Sequence, residues 1–285
     1  MEKKNTTKTI LIPTDFSEVC NNAVNHGLDL ANEFGFAVVL LHVVNKDTKT
    51  FLQKENIELS DLENKLSSFV DEQKEKHNLN VSYVLKTGNI FDEISAVANE
   101  VGAALIILGT HGKVGFQRLT GSYALKVITS SSIPTVVVQK RLVRSGYKNI
   151  VFPITNSTKD RQKVNWAIAI AKTFDATIHI YPKYESEKYY KGRIMAIVKQ
   201  IKDIFKEKGI KHIDKVSDEE GGNFAKQVID YAVVNDADLI MIMTSDNQAL
   251  PMFDSWDEQI IFNSSQIPVI CINPVKIPDT KYSWY

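Results

Sequence analysis

The chain has 285 residues, 44% of them hydrophobic, which suits one large or two ordinary globular domains. Its 34 basic and 34 acidic residues give zero formal net charge, which argues against broad binding to nucleic acid or to an anionic membrane. The only two cysteines, Cys20 and Cys271, lie far apart in sequence. They are expected to be buried or semi-buried free thiols, not a disulfide framework or a metal site.

The N-terminal residues are polar and lead directly into a strand-like segment, without the apolar core of a signal peptide. No run of 18 or more apolar residues occurs anywhere in the chain. We therefore expect a cytoplasmic protein that has neither a membrane nor a nucleic acid as partner.

The first half alternates predicted strands and helices. Strand-like segments occupy residues 9–13, 37–44, 81–85, 104–108 and 133–138, and helical periodicity marks residues 18–34, 60–77, 89–101 and 122–130. Asp15 or Ser17 is expected to cap the first helix. The almost continuously apolar run Ala37–Val44 is typical of a parallel strand buried on both faces. The alternation predicts a five-stranded parallel sheet with four helices packed on its two sides.

The second half repeats this order. Asn149–Pro153 mirrors Thr9–Pro13, and Gly88–Pro134 aligns without a gap to residues 222–268. A match of that length predicts one duplicated domain. The tyrosines Tyr181, Tyr184, Tyr189 and Tyr190 are interpreted as part of a charged linker, either a surface loop or a cover over an interface or groove. We divide the chain into two domains, 1–143 and 147–275, and a C-terminal tail, 276–285.

A glycine-bearing segment follows the fourth predicted strand. Gly109 and Gly112 lie in it, and Gly121-Ser122 opens the next predicted helix. Glycines allow close approach of the backbone to a ligand, and loop amides and a helix N-terminus attract anions. Composition alone supports a phosphate cradle and a plain strand-to-helix turn about equally. The segment is neither a Walker A loop nor the dinucleotide fingerprint that follows a first strand.

These segments resemble the universal stress protein family. The resemblance rests on Ile-Leu-Ile-Pro-Thr-Asp-Phe-Ser at residues 10–17, Gly-Thr-His-Gly at 109–112 with Gly-Ser at 121–122, and Ile-Pro-Thr-Val-Val-Val at 133–138. It covers nearly the whole chain as two copies. It implies two tandem, doubly wound, Rossmann-like α/β domains, each with a five-stranded parallel sheet. It also implies pairing through the last strands as an intramolecular pseudo-dimer, with a homodimer left open.

The resemblance also implies a nucleotide site in the first domain. The family's ATP-binding members place nine residues between the Gly-x-x-Gly and Gly-Ser/Thr elements, whereas eight separate Gly112 from Gly121 here. The glycines would hold ribose and phosphates, Asp15 would lie near the nucleotide, and the end of the second strand would contact adenine. The expected ligand is ATP, with ADP and AMP as alternatives. The resemblance leaves open whether Mg²⁺ binds together with the nucleotide. The expected nucleotide-binding residues are Pro13, Thr14, Asp15, Leu41, His42, Val43, Gly109, Thr110, His111, Gly112, Gly121 and Ser122.

The second copy lacks this pattern. Gly109, Gly112, Gly121, Ser122 and Asp15 correspond there to Met243, Asp246, Ser255, Trp256 and Thr155. Asp246, Asp254, Asp257 and Glu258 make the segment acidic, which is the wrong sign for phosphate. It is interpreted as a solvated loop, with a cation site as the less favoured alternative. We predict that the second domain binds no nucleotide and packs against the first.

No metal-ligand spacing, nucleophile elbow or Cys/His pair indicates catalysis. His42 is interpreted as a satisfied histidine of a core strand in preference to a ligand, and His111 as either a phosphate contact or a solvent-facing side chain. The leading hypothesis is a non-enzymatic regulatory stress protein that binds an adenine nucleotide, with at most weak ATPase activity. The alternatives are an interaction scaffold that has lost nucleotide binding, and a slow ATP-hydrolysing or adenylyl-transferring enzyme.

Overall fold

The computed structural model describes residues 8–110, 121–141, 146–215, 222–244 and 255–275. The strands of the first half are β1 (Thr9–Pro13), β2 (Ala37–Val44), β3 (Val81–Thr87), β4 (Ala103–Gly109) and β5 (Thr135–Val138). Its helices are α1 (Glu18–Phe34), α2 (Lys46–Glu55), α3 (Leu59–His77), α4 (Ile90–Glu100) and α5 (Gly121–Ser130).

The second half follows the same plan. Its strands are β6 (Asn149–Ile154), β7 (Thr177–Pro182), β8 (His212–Asp214), β9 (Leu239–Met243) and β10 (Val269–Ile272). A 3₁₀ helix (Thr158–Lys163) precedes α6 (Val164–Phe174), and the later helices are α7 (Lys188–Glu207), α8 (Phe224–Val234) and α9 (Trp256–Ile261).

The ten strands form one sheet in the order β3-β2-β1-β4-β5-β10-β9-β6-β7-β8. Neighbouring strands are parallel within each half, and only β5 and β10, where the halves meet, run antiparallel. Val137 lies opposite Val269 in that central pair. The predicted α/β fold, with five parallel strands in each of two Rossmann-like domains, is confirmed.

Both faces of the sheet are covered, which explains the apolar runs. Alternate strand residues contribute to two clusters, with Ile12 and Leu40 on one face and Leu11 and Leu41 on the other. α1, α3, α6 and α7 supply buried side chains to the first cluster, and α4, α5, α8 and α9 to the second. Strands buried on both faces have no solvent-facing side to make polar.

Helices α1 and α6 meet where the two halves join. The rings of Phe34 and Phe174, which occupy matching positions in the two halves, pack edge to face with centroids 5.9 Å apart. Beside them, the buried His26 Nε2 lies 2.7 Å from the Tyr147 hydroxyl. This apolar contact and the β5–β10 pairing hold the two halves together.

The structure corrects two sequence predictions about the elements. The first half has a fifth helix, α2, which was missed because Leu52 is its only buried residue and leaves little apolar periodicity. The tyrosine-rich segment is a linker only at Tyr184, which lies between β7 and α7. Tyr181 is buried in β7, and Tyr189 and Tyr190 lie in the first turn of α7.

Candidate functional site

A cavity of about 290 Å³ lies at the carboxyl ends of β1 and β2. This is where open parallel sheets usually bind ligands. Six of the expected nucleotide-binding residues line it, three from the end of each strand: Pro13, Thr14, Asp15, Leu41, His42 and Val43. The fold therefore brings together two of the chain segments expected at the nucleotide site.

The turn after β1 is fixed by its own side chains. The Asp15 carboxylate accepts a hydrogen bond from the Ser17 amide at 2.9 Å. The Ser17 hydroxyl in turn accepts from the Cys20 amide at 3.4 Å and caps α1. Of the two predicted caps, Ser17 is the actual one, while Asp15 orders the turn at the wall of the cavity.

Phe16 adopts an unusual backbone conformation at this turn. Its φ of 63° is left-handed, which is rare for a bulky residue and is a form of strain often found at functional sites. Its ring stacks on the His42 imidazole with centroids 5.5 Å apart, and the Lys65 ammonium lies 4.5 Å from the ring centre. These contacts hold Phe16 and His42 together on one wall of the cavity.

His42 is only half satisfied, which differs from the prediction. Its Nδ1 lies 2.8 Å from the Thr14 carbonyl oxygen. Its Nε2 is buried, and no group in the described part of the chain hydrogen-bonds it. Burial lowers the pKa of His42, against opposing contributions from the Thr14 hydrogen bond and the Asp15 charge. The imidazole is therefore neutral near pH 7 and carries one unused buried nitrogen.

Helix α2, which the sequence did not predict, and the predicted helix α3 supply further residues to the cavity wall. Asn45 caps α2 by accepting from the Thr48 amide at 2.8 Å. Thr48, Phe51 and Leu52 of α2, with Lys65 of α3, line the outer side of the cavity. The only available signal was Asn45 directly after an apolar run, which is a helix-capping pattern without an apolar stripe behind it.

Gly109, at the end of β4, lies close to the backbone of α1. A β-carbon at this position would lie 2.9 Å from the Val19 carbonyl oxygen of α1, closer than a real β-carbon approaches backbone. The neighbouring Thr110 is buried, and its amide donates to the Val138 carbonyl at 2.9 Å. α5 begins at Gly121. His111 and Gly112 lie outside the described residues, so their predicted contact with phosphate stays a prediction.

The second domain fills the matching strand end with a buried ion pair. The Asp160 carboxylate accepts from the Thr155 amide at 2.7 Å and from the Thr155 hydroxyl at 2.8 Å. The fully buried Lys163 donates to the other Asp160 oxygen at 3.3 Å and to the Pro153 carbonyl. Burial lowers the pKa of Lys163, and the Asp160 charge opposes this effect. With Asp15 aligned to Thr155, the first domain has Cys20 and Ala23 at these two positions.

Aromatic rings occupy the other side of the second-domain strand ends. Tyr181 stacks on Phe224 with centroids 6.2 Å apart, and Phe224 lies 5.8 Å from Trp256. The first domain has the smaller residues Leu41, Ile90 and Ser122 at these positions. Leu41 and Ile90 line its cavity. The structure thus places the rings of Tyr181 and Phe224 at the positions of two cavity-lining residues of the first domain.

The prediction that the acidic segment of the second domain is a solvated loop is partly wrong. Asp257 and Glu258 are buried in the first turn of α9 and do not belong to a solvated loop. Asp246 and Asp254 lie outside the described residues. Among the residues that the structure describes, no group of three or more His, Cys, Asp or Glu side chains could hold a metal ion. In the same residues, no helix is both long enough and apolar enough to cross a membrane.

Both free cysteines are buried, as predicted. Burial, assisted by the Asp15 charge, raises the pKa of Cys20 to about 12. Burial also raises the pKa of Cys271, with a further contribution from Asp257. Both thiols are therefore protonated at neutral pH and are poor nucleophiles.

The sequence is similar to proteins of one family throughout. The model of the universal stress protein family matches residues 6–139 and again residues 146–273. The Methanocaldococcus jannaschii protein "Universal stress protein MJ0531" is 33% identical over 144 residues, which cover 48% of this chain and 85% of the relative. "Universal stress protein MJ0577" of the same organism is 28% identical over 156 residues, covering 47% of this chain and 96% of the relative.

A solved structure matches the two-domain arrangement. A universal stress protein from Archaeoglobus fulgidus superposes with a TM-score of 0.75 at 18% identity, over 93% of this chain and 98% of that one. At this identity the likeness shows the fold alone. Because the family model matches both halves of the sequence, the chain belongs to the universal stress protein family as a tandem two-domain member.

Proposed function

We propose that the first domain binds an adenine nucleotide, ATP or its products ADP and AMP, and that the protein is a regulatory stress-response protein. The observation that carries the proposal is the cavity at the ends of β1 and β2, with Asp15 and His42 in its walls. Six of the twelve residues expected from the family resemblance line this cavity, which supports the proposal.

The order of the strands supports an orientation for the nucleotide. β1 lies between β2 and β4, so their carboxyl ends form one row. The glycines follow β4, where backbone amides and the N-terminus of α5 favour phosphate. Asp15 follows β1, where a carboxylate can accept hydrogen bonds from ribose hydroxyls. The base then lies at the end of β2, between Leu41 and Val43.

The second domain is proposed to bind no nucleotide and to act through its contact with the first. Asp160 of its ion pair and the rings of Tyr181 and Phe224 occupy positions that correspond to cavity-lining residues of the first domain, which are Cys20, Leu41 and Ile90. Displacing Lys163 from Asp160 would leave a buried charge without a partner, which is strongly unfavourable. A nucleotide would have to offset that loss as well as displace the rings.

We propose that the protein binds the nucleotide without catalysing a reaction. We also propose that it is located in the cytoplasm. The buried thiols are protonated at neutral pH and are therefore poor nucleophiles. Asp15 and Asp47 are the carboxylates in the cavity wall, and the Ser17 hydrogen bond ties Asp15 to the turn after β1. We therefore expect ATP hydrolysis to be slow if it occurs.

Calorimetric titration with ATP tests the proposal. Wild-type protein should bind, whereas Gly112→Asp should lose affinity by roughly tenfold or more because a carboxylate repels phosphate. Leu41→Tyr, which introduces the second-domain residue into the cavity wall, should weaken binding similarly. Tyr181→Leu is the matched control and should bind like wild type. Equal ATP binding by wild type, Gly112→Asp and Leu41→Tyr would remove the site from the first domain.

A further inference from the structure

We infer that Asn273 of the second domain is a positioning residue for the nucleotide site of the first domain, because its side-chain amide holds the C-terminal end of α5. The inference rests on the proposed function and deepens it, since it makes the affinity of that site for phosphate depend on the second domain. It starts from two hydrogen bonds that cross from one domain to the other.

The side chain of Asn273 caps a helix of the opposite domain. Asn273 directly follows β10, and its Nδ2 atom donates to the carbonyl oxygens of Ile128 and Ser131 at 2.5 Å each. Ile128 lies in the last turn of α5, and Ser131 directly follows this helix. The last carbonyl groups of a helix have no partner within the helix and need donors from elsewhere. The second domain supplies these donors to α5.

The orientation of the Asn273 amide follows from its partners. A carbonyl oxygen can only accept, so the NH₂ group must face α5. The Oδ1 atom accepts from the hydroxyl group of Thr244, which is buried directly after β9. The side chain is therefore held on both sides, and it connects the end of β9 with the end of α5.

Helix α5 connects this contact with the proposed phosphate site. The helix begins at Gly121 and has 10 residues, which makes it about 15 Å long. Its buried residues Ala124, Val127 and Ile128 pack into an apolar cluster, a contact without directional preference, whereas hydrogen bonds depend on distance and angle. Because so short a helix moves nearly as a rigid body, releasing its C-terminal end displaces the amides at its N-terminal end. Those amides are the proposed partners of the phosphates.

Gln139 is the matching residue of the first domain and provides the contrast. It directly follows β5, as Asn273 directly follows β10. Its Nε2 atom donates to the carbonyl oxygens of Ile261 and Asn263, at the end of α9, at 3.5 and 3.2 Å. Each domain therefore caps the last helix of the other. Of these two helices, only α5 begins at the proposed nucleotide site.

The experiment compares ATP with adenosine, which lacks the phosphates, by calorimetric titration of the full chain. Asn273→Ala should weaken ATP binding by roughly three- to tenfold and leave adenosine binding nearly unchanged, because only the phosphates contact α5. Asn273→Gln, which installs the first-domain residue and keeps the amide, should bind ATP more tightly than Asn273→Ala. Gln139→Ala removes the equivalent amide at α9 and should bind both ligands like wild type.

A second measurement uses wild-type protein and does not depend on a variant that folds. In protein labelled with ¹⁵N-asparagine, ATP should shift the side-chain amide resonances of Asn273, and adenosine should shift them much less.

The outcomes separate this inference from the proposed function. Unchanged ATP affinity in Asn273→Ala, an equal loss of ATP and adenosine affinity, an equal effect of Gln139→Ala, or Asn273 resonances that ATP does not move would overturn the role of Asn273 while leaving nucleotide binding intact. Absence of ATP binding by the wild-type protein would overturn the proposed function itself, and this inference with it.

Discussion

The two domains share one strand order but differ in what lies at the carboxyl ends of their first strands. In the first domain, Cys20 is small and lines a cavity beside β1. In the second, the matching position is Asp160, which pairs with the fully buried Lys163 under the end of β6. The comparison teaches that two copies of one domain can keep the same strand order while different side chains occupy the matching strand ends.

Gly109 of the first domain corresponds to Met243 of the second, and the start of the helix that packs beside it differs between the domains as well. In the first domain, α1 begins so close to β4 that a side chain at Gly109 would meet the Val19 carbonyl. In the second domain, a 3₁₀ helix replaces the first turns of that helix and lies against β9, and Met243 is buried there. The larger residue and the altered helix start therefore belong together.

The largest predicted effect on stability comes from breaking the ion pair between Lys163 and Asp160. Lys163→Ala should lower the free energy of unfolding by about 3–5 kcal/mol, because it leaves the Asp160 charge buried without its partner. Denaturant unfolding monitored by circular dichroism measures this loss. The double variant Asp160→Cys/Lys163→Ala, which installs the first-domain residues, should recover roughly half of the loss or more.

The control for that prediction is an exposed pair. Lys211→Ala removes the ion pair with Asp175, whose side chains are both largely exposed, and should leave the unfolding midpoint nearly unchanged. If Lys163→Ala were as mild as Lys211→Ala, the buried pair would not stabilise the second domain in the way described.

Adding a side chain at Gly109, the other position that differs between the domains, is expected to change the stability by a smaller amount. Gly109→Ala should destabilise the protein by roughly 1–3 kcal/mol, because backbone atoms of α1 must move to admit the methyl group. Gly192→Ala in α7, where a β-carbon meets nothing within 4 Å, should instead stabilise by about 0.5–1 kcal/mol. Thermal unfolding of both variants checks the difference in sign. A neutral Gly109→Ala would show that the approach of α1 to β4 is not tight.

Much of the fold could be predicted from the sequence because its signals are local. The predicted bounds of β1, α1 and β2 agree with the structure, since apolar runs and amphipathic periodicity mark them directly. α2 could not be found in this way because it buries only Leu52. The Asp160–Lys163 pair was equally hidden, because both residues are charged and their burial depends on a 3₁₀ start in place of an α-helical one.

The candidate site was predictable as a set of segments but not as chemistry. Resemblance placed Asp15 and His42 near a ligand, and the parallel sheet brings their strand ends together at one cavity. The state of His42 could not be predicted, because it depends on the Thr14 carbonyl, a backbone atom that no sequence pattern identifies. The strain at Phe16 is likewise a property of the folded turn.

The number of nucleotides bound per chain tests the contrast between the domains most directly. Calorimetric titration of the full chain with ATP should give one site per chain, because the second domain has the larger side chains of Tyr181 and Phe224 at the positions of the cavity-lining Leu41 and Ile90. Leu41→Tyr should weaken that single site, and Tyr181→Leu should leave both its affinity and the stoichiometry unchanged. Two sites per chain, or one site weakened by Tyr181→Leu and not by Leu41→Tyr, would contradict the assignment of the nucleotide to the first domain.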